Sequence, residues 1–236
     1  AAELTRTGIG LPAYYNDEVI IPALQNRGLS LEDARDYNII GCVEPQKAGK
    51  TEGWHDAAFF NMCRPLELVF ANGMDKGEIV GIPTGDVTQM KSFEEFFDAY
   101  KKQMEYCISL LVNADNAIDV AHAERCPLPF LSCMIDDCLK EGRSVQEGGA
   151  VYNFTGPQGF GIANMADGLF AIRKLVYEEK KVSMEEFKEA LAWNYDKGLD
   201  AQSAGDMTEM IMKAMQKAGK EADASTAAGL SLIHIS

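Results

Sequence analysis

Two short stretches of the chain hold residue types that could do chemistry. Gly41-Cys42-Val43-Glu44-Pro45 sets a thiol beside a carboxylate, and Gly53-Trp54-His55-Asp56 adds an imidazole and a second carboxylate within fifteen positions. Gly41 and Pro45 bracket the first pair and predict a loop at a strand end, where a rigid scaffold presents functional groups. In an extended backbone Cys42 and Glu44 would face one side, because side chains alternate with period two. One small molecule could then touch both. Residue type leaves two uses for Cys42: a structural thiol in a turn, or a nucleophile with His55 as its base. His55 could equally cap a turn, while Glu52 and Trp54 would support the loop.

Groups like these need elements to position them, and the chain alternates strand and helix signals. Pro12 to Tyr15 is a short extended candidate. Asn16 is a good N-cap for a helix running towards Asn26, with Pro22 predicting a kink or an early end. Ser30 to Asp33 resembles a capping box with Asp in place of Glu, and Tyr37 to Ile40 reads as a buried strand. Ser92-Phe93-Glu94-Glu95 is a capping box, after which Phe93, Phe96, Phe97, Tyr100 and Met104 recur at helical spacing as a core stripe. Asp167 to Glu179 and Ser183 to Tyr195 are further amphipathic helices, as is the Met-rich stretch Asp206 to Lys217. Gly148-Gly149-Ala150 and Gly156-Pro157-Gln158-Gly159 are tight loops without the spacing of a phosphate-binding motif. The alternation gives an α/β fold with a largely parallel sheet.

Composition narrows the function classes. The 236 residues are 47% apolar and 25% charged, which excludes disorder and collagen-like repetition. A net charge of −14 argues against nucleic acid or an anionic membrane as partner, since both need local positive charge. No apolar run reaches the roughly 18 residues of a membrane span. No basic-then-apolar leader opens the chain, and no initiator Met does, so the native start is expected to lie elsewhere. Cys42, Cys63, Cys107, Cys126, Cys133 and Cys138 form no CxxC pair, so five are expected as buried spectators beside Cys42, in a reducing cytoplasm. Three histidines are too scattered for a metal site, and no metal is expected.

With these residues in view, Gly41-Cys42-Val43-Glu44-Pro45 resembles the active-site motif of glycyl radical enzymes, the pyruvate formate-lyase-like superfamily. The resemblance takes in Tyr14-Tyr15-Asn16-Asp17-Glu18, the Lys50 to Asn61 segment, Asp115-Asn116, Ala121-His122-Ala123-Glu124-Arg125, Pro127-Leu128-Pro129 and Gly148 to Gly161. It covers the chain from about Gly8 to Tyr195. The nearest pattern is that of the B12-independent glycerol and propane-1,2-diol dehydratases; isethionate sulfite-lyases, choline trimethylamine-lyases and other pyruvate formate-lyase-like enzymes are the alternatives. The fold implied is part of the family's ten-stranded α/β barrel: the Cys42 loop and part of the second half-barrel. Residues 1–229 would belong to that domain.

The resemblance also implies a mechanism. Cys42 would lose its hydrogen atom to a glycyl radical, and the thiyl would abstract hydrogen from C1 of a diol. Glu44 would act as base on the C1 hydroxyl. His55 and Asp56 match positions where the dehydratases hold substrate hydroxyls, giving general-acid help and orientation. Val43 after Cys42 departs from the two adjacent cysteines of formate-lyases proper. The His55-Asp56 pair departs from the choline lyases, and Arg64 is the one nearby candidate for a sulfonate. Tyr152, Asn153 and Gln158 are candidates to pack beside the Cys42 loop. His122 with Glu124 and Arg125 reads as an ion pair or interface. No cofactor would bind directly. The radical would be installed by a partner, an S-adenosylmethionine iron–sulfur activase, on a glycine in an Arg-Val-x-Gly-Tyr context that this sequence lacks. The expected setting is an anaerobic cytoplasm or a bacterial microcompartment, with a homodimer as the full-length form. This chain is thus expected to be an internal piece, inactive alone. Leu230 to Ser236 resembles a translated sequencing adapter and is expected to be non-native. A truncated binding or scaffold module is the alternative from another class.

Overall fold

The computed structural model describes residues 2–8 and 14–195. In chain order the elements are α1 (Ala2–Thr7), α2 (Asp17–Asn26), α3 (Leu31–Arg35), β1 (Asn38–Ile40), β2 (Glu44–Gln46), β3 (Thr51–Asn61), α4 (Arg64–Phe70), β4 (Met74–Asp75) and β5 (Glu78–Ile79). Then come α5 (Phe93–Arg125), α6 (Pro129–Ser132), α7 (Cys138–Glu141), β6 (Tyr152–Phe160), α8 (Ile162–Ile172) and α9 (Met184–Tyr195). The class is α/β, as expected. Part of the expected strand at Pro12 to Tyr15, the expected helix at Asp206 to Lys217 and the tail Leu230 to Ser236 lie outside the described residues.

The strands pair two by two. β1 and β2 form an antiparallel hairpin with Ile40 opposite Glu44, so Gly41-Cys42-Val43 is its three-residue loop. β4 and β5 form a second antiparallel hairpin. β3 and β6 run parallel: the Tyr152 N–H bonds the Lys50 carbonyl at one end (2.9 Å), and the Met62 N–H bonds the Phe160 carbonyl at the other (3.0 Å). Among the described residues the parallel pairing is confined to this pair. β3 carries more residues than β6 between those two bonds, so β3 bulges. Asp56 sits on that strand with φ 61° in the left-handed region.

The chain divides into two compact units, one of Ala1–Phe60 and Leu111–Gln158, the other of Asn61–Leu110 and Gly159–Ser236. In the first, Leu24, Leu29 and Ala34 are buried beneath Ile20, Ile21 and Tyr37. Its helices start at the predicted caps. Asn16 accepts the Glu18 N–H at 3.0 Å, and α2 runs on through Pro22 to Asn26. Ser30 accepts the Asp33 N–H at 3.0 Å. The return bond of that capping box is replaced: the Asp33 carboxylate takes Lys50 Nζ at 2.8 Å and the Tyr152 hydroxyl at 2.7 Å. Those two donors, Lys50 first, hold the Asp33 carboxyl down to about 2. They tie α3 to the starts of β3 and β6.

In the second unit the aromatic stripe of α5 is core. Phe96 and Tyr100 are buried with Val69, Met165, Ile172 and Phe187. The Phe70 ring lies 5.5 Å from Phe96 and 6.0 Å from Phe187. Each such ring contributes about 1.5–3 kcal/mol of burial. α9 opens with a complete capping box, Glu186 N–H to Ser183 Oγ at 3.2 Å and Ser183 N–H to Glu186 Oε2 at 2.8 Å. α5 runs past Met104 to Arg125 and so takes in His122 and Glu124. α8 begins at Ile162, before the expected Asp167, because Gly161 at φ 79° turns the chain directly out of β6. Of the five spectator thiols Cys138 is buried and Cys63 and Cys107 partly so, whereas Cys126 and Cys133 are exposed.

Candidate active site

The β1–β2 hairpin folds around its own carboxylate. Gly41, at φ 63°, turns the chain out of β1. The Glu44 side chain curls back under the loop, and its Oε2 accepts the N–H groups of Cys42 and Val43 at 2.9 Å each. The fit leaves no room at Gly41, where a Cβ would meet Glu44 Oε2 at 2.7 Å. Period-two alternation therefore does not describe this stretch. Cys42 lies in the turn, exposed, and Glu44 begins β2, buried at 7% exposure. The two are joined through the Cys42 amide and not by a shared strand face. The Cys42 carbonyl is held as well, by the Tyr15 hydroxyl at 2.9 Å. With its N–H and its carbonyl both bonded, Cys42 is presented on a fixed backbone.

Glu44 Oε1 accepts from Gln158 Nε2 on β6. Donors thus surround the carboxylate. The Val43 N–H and the other hydrogen bonds outweigh the cost of burial and hold the carboxyl down to about 2. Asp56, on the bulged β3, goes the other way. Desolvation, then the hydrogen bond and negative charge of Glu44, raise its carboxyl above the ordinary value. His55, next on β3, packs edge-on to Phe154 with ring centroids 5.4 Å apart. Burial lowers its pKa, against the opposing pull of Glu44 and Asp56, and Nε2 is buried with no hydrogen-bond partner among the described residues.

The structure thus brings Cys42, Glu44, His55 and Asp56 into one unit, with Glu44 contacting the Cys42 amide and the two β3 residues facing Glu44. Of the β6 residues weighed as neighbours of the loop, Gln158 reaches it. Tyr152 is spent on Asp33, and Asn153 bonds the Ala150 carbonyl at 2.8 Å. Tyr15 was legible only as part of a matched motif, since nothing in its own neighbourhood points to a partner 27 positions away. In the second unit Arg64 opens α4 and pairs with Glu67 at 2.8 Å and Asp75 at 2.5 Å, so its charge is already answered. Among the described residues no group of three or more His, Cys, Asp or Glu could hold a metal ion, and no helix is long and apolar enough to cross a membrane.

Residues 1–227 match the pyruvate formate lyase-like family, and the chain belongs to it. It is similar to the solved structure reporting 1,2-propanediol dehydration in Roseburia inulinivorans, with 67% identity, a TM-score of 0.80, and coverage of 89% of this chain and 27% of that one. The glycerol-bound B12-independent glycerol dehydratase from Clostridium butyricum is 58% identical with a TM-score of 0.77, over 87% of this chain and 25% of that one. Among curated proteins, the (2S)-3-sulfopropanediol dehydratase of Klebsiella oxytoca is 40% identical over 195 residues, 82% of this chain and 24% of that protein. The chain spans about a quarter of the length of the curated relatives it matches. Its fold is part of the α/β barrel of glycyl radical enzymes.

Proposed function

We propose that the chain is the thiol-bearing segment of a glycyl radical dehydratase that removes water from a small diol, glycerol or propane-1,2-diol. The observation that carries this reading is the hairpin loop, with Cys42 exposed at its tip and Glu44 buried beneath it. The identities of 67% and 58% to proteins of propanediol dehydration and glycerol dehydration favour those substrates. Arg64, already paired twice, is no free sulfonate ligand. Exposed Phe59, Ile79, Phe130 and Leu139 are apolar surface that the rest of a barrel would cover.

A glycyl radical outside this chain, installed by an S-adenosylmethionine iron–sulfur activase, supplies the unpaired electron. Cys42 gives up the hydrogen atom of its S–H bond and then takes one from C1 of the diol. The S–H and C–H bonds are comparable in strength, so the transfer is reversible. A carboxylate offers about four acceptor positions. Cys42, Val43, Gln158 and the Asp56 carboxyl take these positions on Glu44, and the one that Asp56 holds passes to the C1 hydroxyl when substrate binds. A carboxylate held this low is a weak base, so its proton transfer is coupled to protonation of the departing C2 hydroxyl. Asp56, whose carboxyl retains its proton more readily, is the acid. His55, kept neutral by burial, turns its unpartnered Nε2 to a substrate hydroxyl and orients it. The C2 radical left after water departs recovers hydrogen from Cys42, giving the aldehyde.

The test is an anaerobic assay of the complete gene product with its activase, offered glycerol, propane-1,2-diol, isethionate and choline. Turnover is expected on the diols. Cys42→Ala should abolish it and Glu44→Gln should reduce it close to zero, both with the glycyl radical signal intact in electron paramagnetic resonance. Turnover under oxygen without activase would overturn the reading. Loss of the radical signal in both variants would reassign the two residues to structure. In full length the protein is proposed to be a cytoplasmic homodimer.

A further inference from the structure

One polar side chain outside this set reaches the carboxylate from the other strand of the β3–β6 pair. Gln158, near the end of β6 and half-buried, gives its Nε2 hydrogen to Glu44 Oε1. Oε2 is taken by the N–H groups of Cys42 and Val43, both from the loop itself. Anchored at Oε2 alone, the carboxylate could swing about that oxygen. A second anchor from a different element fixes its plane. The orientation of the Gln158 amide is set by the same contact, since an ionised carboxylate only accepts and the NH2 end must face it. The ionisable groups facing Glu44 are Asp56 and His55 from β3; β6 contributes the neutral donor.

We propose that Gln158 is a positioning residue for Glu44: it fixes the carboxylate plane, so that the acceptor position shared with Asp56 points to substrate. This rests on the role proposed above for Glu44. Pro157 and Gly159 flank the residue and Gly156 precedes them, so β6 presents a long amide on a stretch poor in other long side chains.

Two variants of similar size test it in the full-length protein with its activase. Gln158→Leu removes the donor. Gln158→Glu donates only while protonated. Both should form the glycyl radical at wild-type yield. Gln158→Leu should move the acid limb of the kcat profile up by about one to two pH units, the size expected for losing a hydrogen bond to a charged group. Gln158→Glu should keep its turnover at acid pH and lose it as the shared proton of the two carboxyls is removed. Profiles that superimpose on the wild type would overturn the proposal. So would an equal loss at every pH in both variants, which a mere packing role produces. In parallel, the Glu44 carboxyl carbon of the isotope-labelled full-length protein is titrated by NMR. If wild-type full-length protein forms no radical, the radical reading fails, and this titration still decides the contact: a Glu44 resonance unmoved by Gln158→Leu overturns it.

Discussion

Gly41→Ala isolates the contact on which the candidate site depends. Two penalties act together in this variant. The first is backbone: a residue with a Cβ held at φ 63° costs about 1–2 kcal/mol. The second is the Cβ itself, which would stand 2.7 Å from Glu44 Oε2. The atom it strikes is the end of a flexible side chain, so Glu44 moves and the backbone stays. Moving it breaks the bonds from the Cys42 and Val43 amides, each charge-assisted and worth about 1.5–3 kcal/mol when buried. Both residues are exposed, so water replaces part of each bond, and about 3 kcal/mol for the pair is the expected net loss. A three-residue loop opens without unfolding the unit around it. The loss should therefore appear as amide exchange at Cys42 and Val43, roughly a hundredfold faster, and not as a matching drop in melting temperature. Gly49→Ala is the control. It carries a similar left-handed φ of 74° with nothing within 4 Å of the new Cβ. Equal exchange at Cys42 and Val43 in the two variants would refute the account, because only Gly41 touches the carboxylate.

Two further outcomes follow from the structure. Asp33 and Glu44 have carboxyls held at about 2, below their ordinary values of 3.8 and 4.5, so their contribution to stability is complete above those values and fades as pH falls towards about 2. Acid unfolding followed by circular dichroism should show this loss between roughly pH 4.5 and 2. Lys50→Met, which removes the first donor to Asp33, should flatten the curve there; an unchanged slope would count against the assignment. In the second unit, Phe96→Ala at a fully buried position should cost about 3–5 kcal/mol in denaturant unfolding, and the half-buried Phe93→Ala clearly less. Equal costs would mean that the α5 stripe is not packed as described.

What the sequence made legible is what short-range chemistry decides. Asn16, Ser30 and Ser183 start helices because a cap side chain bonds an amide two or three residues on, and no distant partner is needed. The α5 stripe declared its buried face by spacing alone. It did not declare the length of α5, since the turns beyond Met104 carry exposed Leu110, Val112 and Ile118 instead of a continuing core stripe. The capping box at Ser30 came out half-formed because Asp33 had stronger partners in Lys50 and Tyr152, one of them 119 positions away. The hairpin loop was legible as a loop but misjudged as extended, since a left-handed glycine breaks the alternation on which the shared-face argument stood.

The site divides along the same line. Its inner half is local: Gly41 supplies the turn, Glu44 folds back two residues to the Cys42 amide, and five consecutive positions build the thiol loop. Its outer half is long-range. Tyr15 acts across 27 positions and Gln158 across 114, and neither contact leaves a periodicity; both residues were visible only inside stretches that match the family pattern. The two halves also differ in what they decide. Backbone amides pin one oxygen of Glu44 in any chain with this loop. The donor from β6 takes the other oxygen, and the carboxyl from β3 sets the charge beside the group. They are therefore the positions where a change of residue would retune the carboxylate without unmaking the loop.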